Sequence, residues 1–472
     1  MSAPDWDELS RDLNALLPRA VRECLCTEPG LERAFVVGGF VRDALLEKPS
    51  KDIDIEVFGR SVDELVAILR RLGRVDLVGK SFGVIKVTMR GCDTVDFSLP
   101  RRDSKTGPGH RGFEAEVDAT MSLREASTRR DFTINALYYD PRRKVVLDCH
   151  QGARDLEEQR LRVVDKKTFC DDPLRVLRAM QFSARFGYRA DSELIELSRS
   201  MIDSFSELPG ERVGEEWLKW GQKSTRPSLG LEFLVECGWI RHFPELDRIW
   251  DVPQDPEWHP EGNVFQHTLH CCDAMVELPE WQGASPQDRL VLLLAILLHD
   301  IGKAETTDCV VRQGKERIVS PGHEGVSANL APDFLKPLKL AKVIEERVVP
   351  LVANHMIHFE QPTDRAVRRL AHRLKPETIE NLVTVMTADS HGRPPLPKSI
   401  PRNVERLLDK SRSMALAQAA PQPILQGRDL LELGYQPGPE LGAILREAFA
   451  AQLEGEFHDR EGGFDWVARR ST

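Results

Sequence analysis

The pattern of apolar and polar positions changes period along the chain. Over residues 1–30, Trp6, Leu9, Leu13, Leu16, Leu17 and Val21 fall near helical spacing and predict an amphipathic helix. From Ala34 to His150 the pattern is mixed. "AFVV" reads as a strand, Gly38-Gly39 as a tight turn and "FVRDALL" as a helix start. "DIDIEVF" (Asp52–Phe58) alternates as a strand does, a helix follows around Val62–Leu72, and "GVIKVTM" and "TVDFSL" are again strand-like. "RRDSKTGPGHRGF" (Arg101–Phe113) carries turn formers and bases without periodicity and predicts a long loop. Beyond Gln151 the apolar spacing is almost wholly helical. Two Pro-rich stretches, Ile249–Asn263 and His391–Asn403, interrupt it. The expectation is an α+β protein, a mixed sheet with helices at the head and all-α segments behind it.

Length sharpens this into several parts. A chain of 472 residues exceeds what one core supports and predicts two to four domains. With 41% hydrophobic and 30% charged residues it reads as globular and soluble. The start, "MSAPDWDELSRD", lacks the apolar run of a secretory signal. The longest apolar stretch, Val291–Leu298, is far short of the roughly 20 residues a bilayer requires. Nine scattered cysteines without a CxxC pair suit reduced thiols, and hence a cytoplasmic protein. The net charge of −10 argues against a general nucleic-acid coat. Between Arg101 and Ala190, however, nineteen Lys and Arg stand against fourteen Asp and Glu, a local balance suited to phosphates.

Candidate chemistry begins in "SKDIDIEVF". Alternate strand residues share a face, so Asp52 and Asp54 project together while Ile53 and Ile55 face the other way. Two carboxylates on one face can grip Mg²⁺, a hard ion that prefers oxygen. Ions ~4 Å apart suit in-line displacement at phosphorus. Asp96, in "TVDFSL", offers a third carboxylate from another strand. Upstream, Gly38-Gly39 lies between a strand and a helix, where backbone N–H groups can meet a triphosphate, with Arg42 and Asp43 just behind.

These motifs together resemble the class II tRNA nucleotidyltransferase and bacterial poly(A) polymerase family, of the polymerase-β-like superfamily, from about Ala34 to Leu246. "GGFVRDALLEKPSKDIDIEV" looks like the family's catalytic strand–helix motif, which implies that Asp52 and Asp54 hold the metal. "RRDFTINAL" resembles its next motif, implying that Arg130, Asp131 and Asn135 contact triphosphate and ribose. "DDPLRVLRAMQFSARFGY" is similar to the base-selecting motif and brings in Asp172, Arg175 and Arg178. Asp171 stands where the family usually has Glu. Glu56 matches no family role and reads as a surface acid.

Asp172 and Arg175 also make chemical sense as a pair. They lie three apart on a predicted helix face, one only accepting and the other only donating hydrogen bonds. Cytosine and adenine each present an amino donor beside a ring-nitrogen acceptor, which such a pair can read. Uracil and guanine would set like groups against each other. The same residues also suit a helix cap with an i,i+3 ion pair.

A second constellation follows. "LVLLLAILLHDIGKAE" ends an apolar run in His299-Asp300, joined by His267 in "FQHTLH", His323 in "PGHEG", His355 in "ANHMIH" and Asp389 in "TADSHGR". Imidazoles with carboxylates suit Mn, Fe, Ni, Co or Zn better than Ca. From Trp258 to Arg393 the stretch resembles the HD phosphohydrolase superfamily. The H…HD…D pattern would fall on His267, His299, Asp300 and Asp389, with His323 and His355 as added ligands or phosphate binders. Some bacterial tRNA nucleotidyltransferases carry this domain, with phosphatase or cyclic-phosphodiesterase activity. The tail, from Ile424, resembles the family's tRNA-holding region.

The expected division is thus 1–33 (helical extension), 34–150 (catalytic head), 151–250 (helical neck), 251–395 (HD domain) and 396–472 (tail). The expected activity is CCA addition to tRNA from CTP and ATP with Mg²⁺. Two alternatives stand beside it. One is a poly(A) or A-only polymerase, and the other an HD phosphohydrolase acting on RNA ends. C-only enzymes of the family have a shortened loop where Arg101–Phe113 stands, so the intact loop disfavours that product.

Overall fold

The computed structural model describes residues 13–50, 52–78, 84–89, 94–105 and 113–470. The chain divides into two compact units. One comprises Met1–Glu216 with Leu229–Trp239, and the other Trp217–Ser228 with Ile240–Thr472. The expected head lies in the first unit, and the expected HD domain and tail in the second.

The first unit is built on a seven-stranded sheet of order β3-β4-β5-β2-β1-β8-β9. Its strands are β1 (Ala34–Val37), β2 (Asp54–Val57), β3 (Gly73–Val78), β4 (Val84–Met89), β5 (Thr94–Ser98), β8 (Leu137–Asp140) and β9 (Val145–Asp148). β2 and β5 run parallel and every other pairing is antiparallel, so the sheet is mixed as expected. Register places Asp54 beside Val37 on one side and Asp96 on the other, and Glu56 beside Phe35 and Ser98. Phe35, Val37, Phe58 and Tyr138 pack with Met121 and Ala126 into a buried cluster. The expected helix at Val62–Leu72 forms with those bounds. Ser61 and Glu64 close a reciprocal capping box at its start, and Leu65, Ile68 and Leu69 are buried.

Three expectations need correction. The N-terminal helix is not continuous: helical residues 13–16 are separated by Pro18 from a second helix, Arg19–Thr27, because proline is tolerated only at a helix start. Trp6 and Leu9 lie outside the described residues. The Arg101–Phe113 segment is not loop throughout, since β6 (Arg101–Lys105) pairs with β7 (Phe113–Val117); residues 106–112 lie outside the described residues. The region after Gln151 also contains a hairpin, Asp308–Arg312 with Lys315–Val319. Its two-residue turn, Gln313-Gly314, has positive φ at both positions, the conformation that matches strand twist.

In the second unit, helices Val264–Glu277, Pro286–Leu298, His323–Leu335, Lys342–Asn354 and Ile379–His391 carry the histidine-rich motifs. Leu290–Leu298 is buried at every position, as its unbroken apolar run requires. Helix Pro439–Glu454 starts after Gly438, with Pro439 in its first turn. No described helix is long and apolar enough to cross a membrane.

Candidate active site and candidate metal centre

Strand β1 ends at Val37, and the chain turns at Gly38 with φ +71° into helix Gly39–Leu45. A Cβ on Gly38 would come to 3.0 Å from Arg130 Nη1, so glycine serves both the turn and the close approach of that guanidinium. The Gly38 N–H itself donates to Leu137 O at 3.0 Å and is not free for a ligand.

The turn opens on a cleft of about 400 Å³. It is lined by Gly38, Gly39, Arg42 and Asp54, by Arg130, Asp131 and Asn135, and by Asp172, Arg175 and Arg178 from the segment around helix Leu174–Phe186. Ten of the twelve residues expected in the nucleotide site thus meet in one place. Asp52, exposed one residue before Ile53, and Asp96, beside Asp54 in register, flank it. Partial enclosure by the cleft raises the Asp54 carboxyl above the usual range; Asp96 and Asp52 add to this and Arg130 opposes it. Clustered carboxylates, one of them with a raised proton affinity, are a donor set that a divalent cation suits.

Several cleft groups are held by partners. Arg42 is buried, gives Nε and Nη2 to Asp43 Oδ1 (2.8 and 2.6 Å) and donates to Asn135 Oδ1. Asp131 accepts from Asn135 Nδ2 at 2.9 Å and from Arg178 Nε at 2.7 Å. Burial alone would raise the Asp131 carboxyl, but Arg178, Asn135 and Arg175 together outweigh it and bring the pKa down to about 2. Asp172 Oδ1 accepts from Leu174 N at 3.1 Å, as a cap would, while its Oδ2 faces Arg212 at 3.4 Å. Arg175 donates to Thr168 O (2.9 Å) and Arg129 O (2.6 Å).

Sequence reasoning missed Arg129, Arg212 and Phe182, which also line the cleft. It misread Glu56, which is not a surface acid but 0% exposed. Its carboxylate takes Arg129 Nη2 at 2.7 Å and Tyr138 Oη at 2.9 Å, with Arg130 Nη2 at 3.7 Å. Burial opposes its ionisation, but Arg129 and Arg130 prevail and lower the pKa. The only signal in the sequence was Glu56's place on the Asp54 face.

In the second unit the expected ligands converge. Asp300 is the hub. Its Oδ2 lies 3.2 Å from His299 Nε2 and 3.7 Å from His267 Nε2; its Oδ1 lies 3.1 Å from His323 Nε2 and 3.8 Å from His355 Nε2. Asp389 Oδ1 is 3.1 Å from His267 Nε2. Nδ1 of His299, His323 and His355 each meets a carbonyl (Ile296, Ser320, Val352) at 2.7 Å, which turns Nε2 inward as an acceptor. Burial, then His299, lowers His355 to about 3, so its imidazole is neutral near pH 7. Burial would raise Asp300, yet His299 and Lys303 hold it well below the carboxylate range. Buried His299 Nε2 makes no hydrogen bond, while Asp300 Oδ2 is met by Lys303 Nζ at 2.7 Å. An orphaned imidazole nitrogen among further imidazoles and carboxylates fits a transition-metal ion. Lys303, with Nζ 2.7 Å from Asp300, Glu261, 2.7 Å from His267 Nδ1, and Cys271 are the members that sequence reasoning missed.

Residues 34–162 match the poly A polymerase head domain family, and residues 264–392 the HD domain family. A multifunctional CCA protein of Aromatoleum aromaticum is 35% identical over 372 residues, 77% of this chain and 85% of that one. One of Psychromonas ingrahamii is 31% identical over 433 residues, 89% and 97% respectively. Among solved structures, the Bacillus stearothermophilus CCA-adding enzyme in complex with CTP gives a TM-score of 0.60 at 21% identity, over 96% of this chain and 99% of that one. The Thermotoga maritima CCA-adding enzyme complexed with tRNA gives 0.56 at 19%, over 99% of both. At these identities the structural likeness bears on the fold.

Proposed function

This chain belongs to the family of multifunctional CCA proteins, and we propose that it rebuilds the 3′ end of tRNA in the head cleft, adding C, C and A from CTP and ATP without a nucleic-acid template. The observation that carries the reading is Asp54, which pairs with Val37 and Asp96 in the sheet and lines the same cleft as Gly38, Gly39 and Arg130. Asp52, Asp54 and Asp96 are the residues that would hold Mg²⁺. The ion, when bound, supplies charge neutralisation at the attacking 3′-hydroxyl and the departing pyrophosphate.

The remaining roles belong to the chain. Arg129 and Arg130 present positive charge to the triphosphate. Arg42, Asn135 and Arg178 hold Asp131 in place. Asp172 and Arg175 face the incoming base, with Arg212 fixing Asp172. The tail holds tRNA. A cytoplasmic setting agrees with the eight described cysteines, all free.

Incubating the protein with tRNA lacking CCA, tRNA ending in CC, and oligo(A), each with CTP, ATP or both, separates the products. CMP incorporation on the first substrate and AMP on the second is expected. Extension of oligo(A) without any CMP incorporation would make it a poly(A) polymerase instead.

A second reading is carried by the histidine cluster. We infer that it binds a divalent transition metal and hydrolyses phosphate esters at RNA ends, as a phosphatase or cyclic phosphodiesterase. His299→Ala/Asp300→Ala should abolish divalent-dependent hydrolysis. Equal hydrolysis by the variant would dismiss the site.

A further inference from the structure

Among the donor atoms of the histidine cluster lies one that the H…HD…D pattern does not contain. Cys271 stands one helical turn after His267 on helix Val264–Glu277, so both side chains leave the same face. The thiol is fully buried, and its Sγ lies 3.3 Å from His267 Nε2. Cys271, His267, His299 and Asp389 each offer one donor atom, and all four atoms lie within 4.8 Å of one another. Of these, His299 Nε2 is buried without a hydrogen-bond partner.

We propose that Cys271 is a sulfur ligand of this centre, added beside His267, His299 and Asp389 to the ligands that include Asp300, and that it selects a thiophilic ion such as zinc, cobalt, nickel or iron over magnesium or manganese. The inference rests on the reading that the cluster binds a cation. Zinc-like bonds of about 2.3 Å to sulfur and about 2.0 Å to nitrogen put tetrahedral neighbours roughly 3.5 Å apart. The 3.3 Å from Sγ to His267 Nε2 and the 3.1 Å from Nε2 to Asp389 Oδ1 are of that size. Packing keeps the thiol there: a Cβ on Gly392 would fall 2.2 Å from Sγ, so only a glycine lets the chain close over it. Gly392 O also faces His267 Nδ1 at 3.2 Å, tying the same backbone to the neighbouring ligand. Binding replaces the S–H bond by a sulfur–metal bond and releases the proton to solvent. A thiolate favours thiophilic ions because soft sulfur suits them better than it suits hard magnesium.

The test uses the full chain carrying Asp52→Asn/Asp54→Asn, so that the head does not take up the probe, stripped with a chelator and titrated with Co²⁺ alone. Visible d–d bands report a filled centre, and a near-ultraviolet sulfur-to-cobalt charge-transfer band reports the thiolate. Both are expected, the second vanishing in Cys271→Ser and persisting in Cys309→Ser, whose thiol is exposed. Cys271→Ser should also lower the preference for Zn²⁺ over Mn²⁺ at least tenfold. Visible bands without the charge-transfer band in the parent protein, or a charge-transfer band that survives Cys271→Ser, would overturn the proposal while leaving the cation reading intact. Absence of both would overturn the cation reading and the proposal with it.

Discussion

Glu56 Oε1 accepts a hydrogen bond from Arg129 Nη2 at 2.7 Å, on the face of β2 that carries Asp54. One fully buried carboxylate thus faces two guanidinium groups, Arg129 and Arg130, both of which line the cleft. The surplus positive charge is what a triphosphate would meet. Glu56→Ala leaves those guanidinium groups without their counter-charge and should cost about 3 kcal/mol of unfolding free energy, read by urea denaturation. Glu56→Gln retains the shape and should cost less. It should raise KM for CTP and ATP several-fold while kcat changes little, since it disturbs only the aim of the two arginines.

Asp131 contributes to the acid limb of stability. Its folded pKa is about 2 against 3.8 unfolded, so the folded state binds its proton less readily. The stabilisation is therefore present above about pH 4 and is lost as pH falls from there towards 2. Asp131→Asn should remove on the order of 2 kcal/mol at pH 7 and flatten the acid limb. Thermal melts from pH 7 to pH 2 measure both.

Arg175 reaches the backbone carbonyls of Thr168 and Arg129 with two nitrogens while facing the cleft. Its fork geometry is not one that an ammonium reproduces. Arg175→Ala, and to a lesser degree Arg175→Lys, should relax selection against UTP and GTP by at least tenfold in single-nucleotide incorporation assays. Unchanged selectivity would remove it from base reading.

The two chemistries should come apart by mutation. Asp300→Asn weakens the hub that four histidines surround. It should abolish divalent-dependent phosphoester hydrolysis and reduce the stoichiometry of bound transition metal. CMP and AMP incorporation on tRNA should remain within about twofold of the parent protein, because Asp300 belongs to a different compact unit from the residues that line the head cleft.

Much of this was legible before any coordinates. The β1–Gly38-Gly39–β2 unit was readable because strand period, glycine pair and acid pair all speak locally. The HD-type cluster was readable because His299-Asp300 ends an apolar run and the other ligands have recognisable neighbours. What stayed hidden depends on depth and on distant partners. Alternation put Glu56 on the Asp54 face, but not that it lies beneath Arg129, 73 positions away. Cys271 looked like any scattered thiol until the fold set it against Asp389, 118 positions on. The Asp308–Val319 hairpin was missed because its strands are short and half charged, and only Gln313-Gly314 marks the turn.

The most direct measurement is the 3′-end sequence of a tRNA transcript lacking its last three nucleotides, after incubation with the protein, Mg²⁺, CTP and ATP. The account predicts ordered addition of C, C and A, with no further extension and none at all by Asp54→Asn. Ends left unchanged by the parent protein, or extended by A alone, would contradict it.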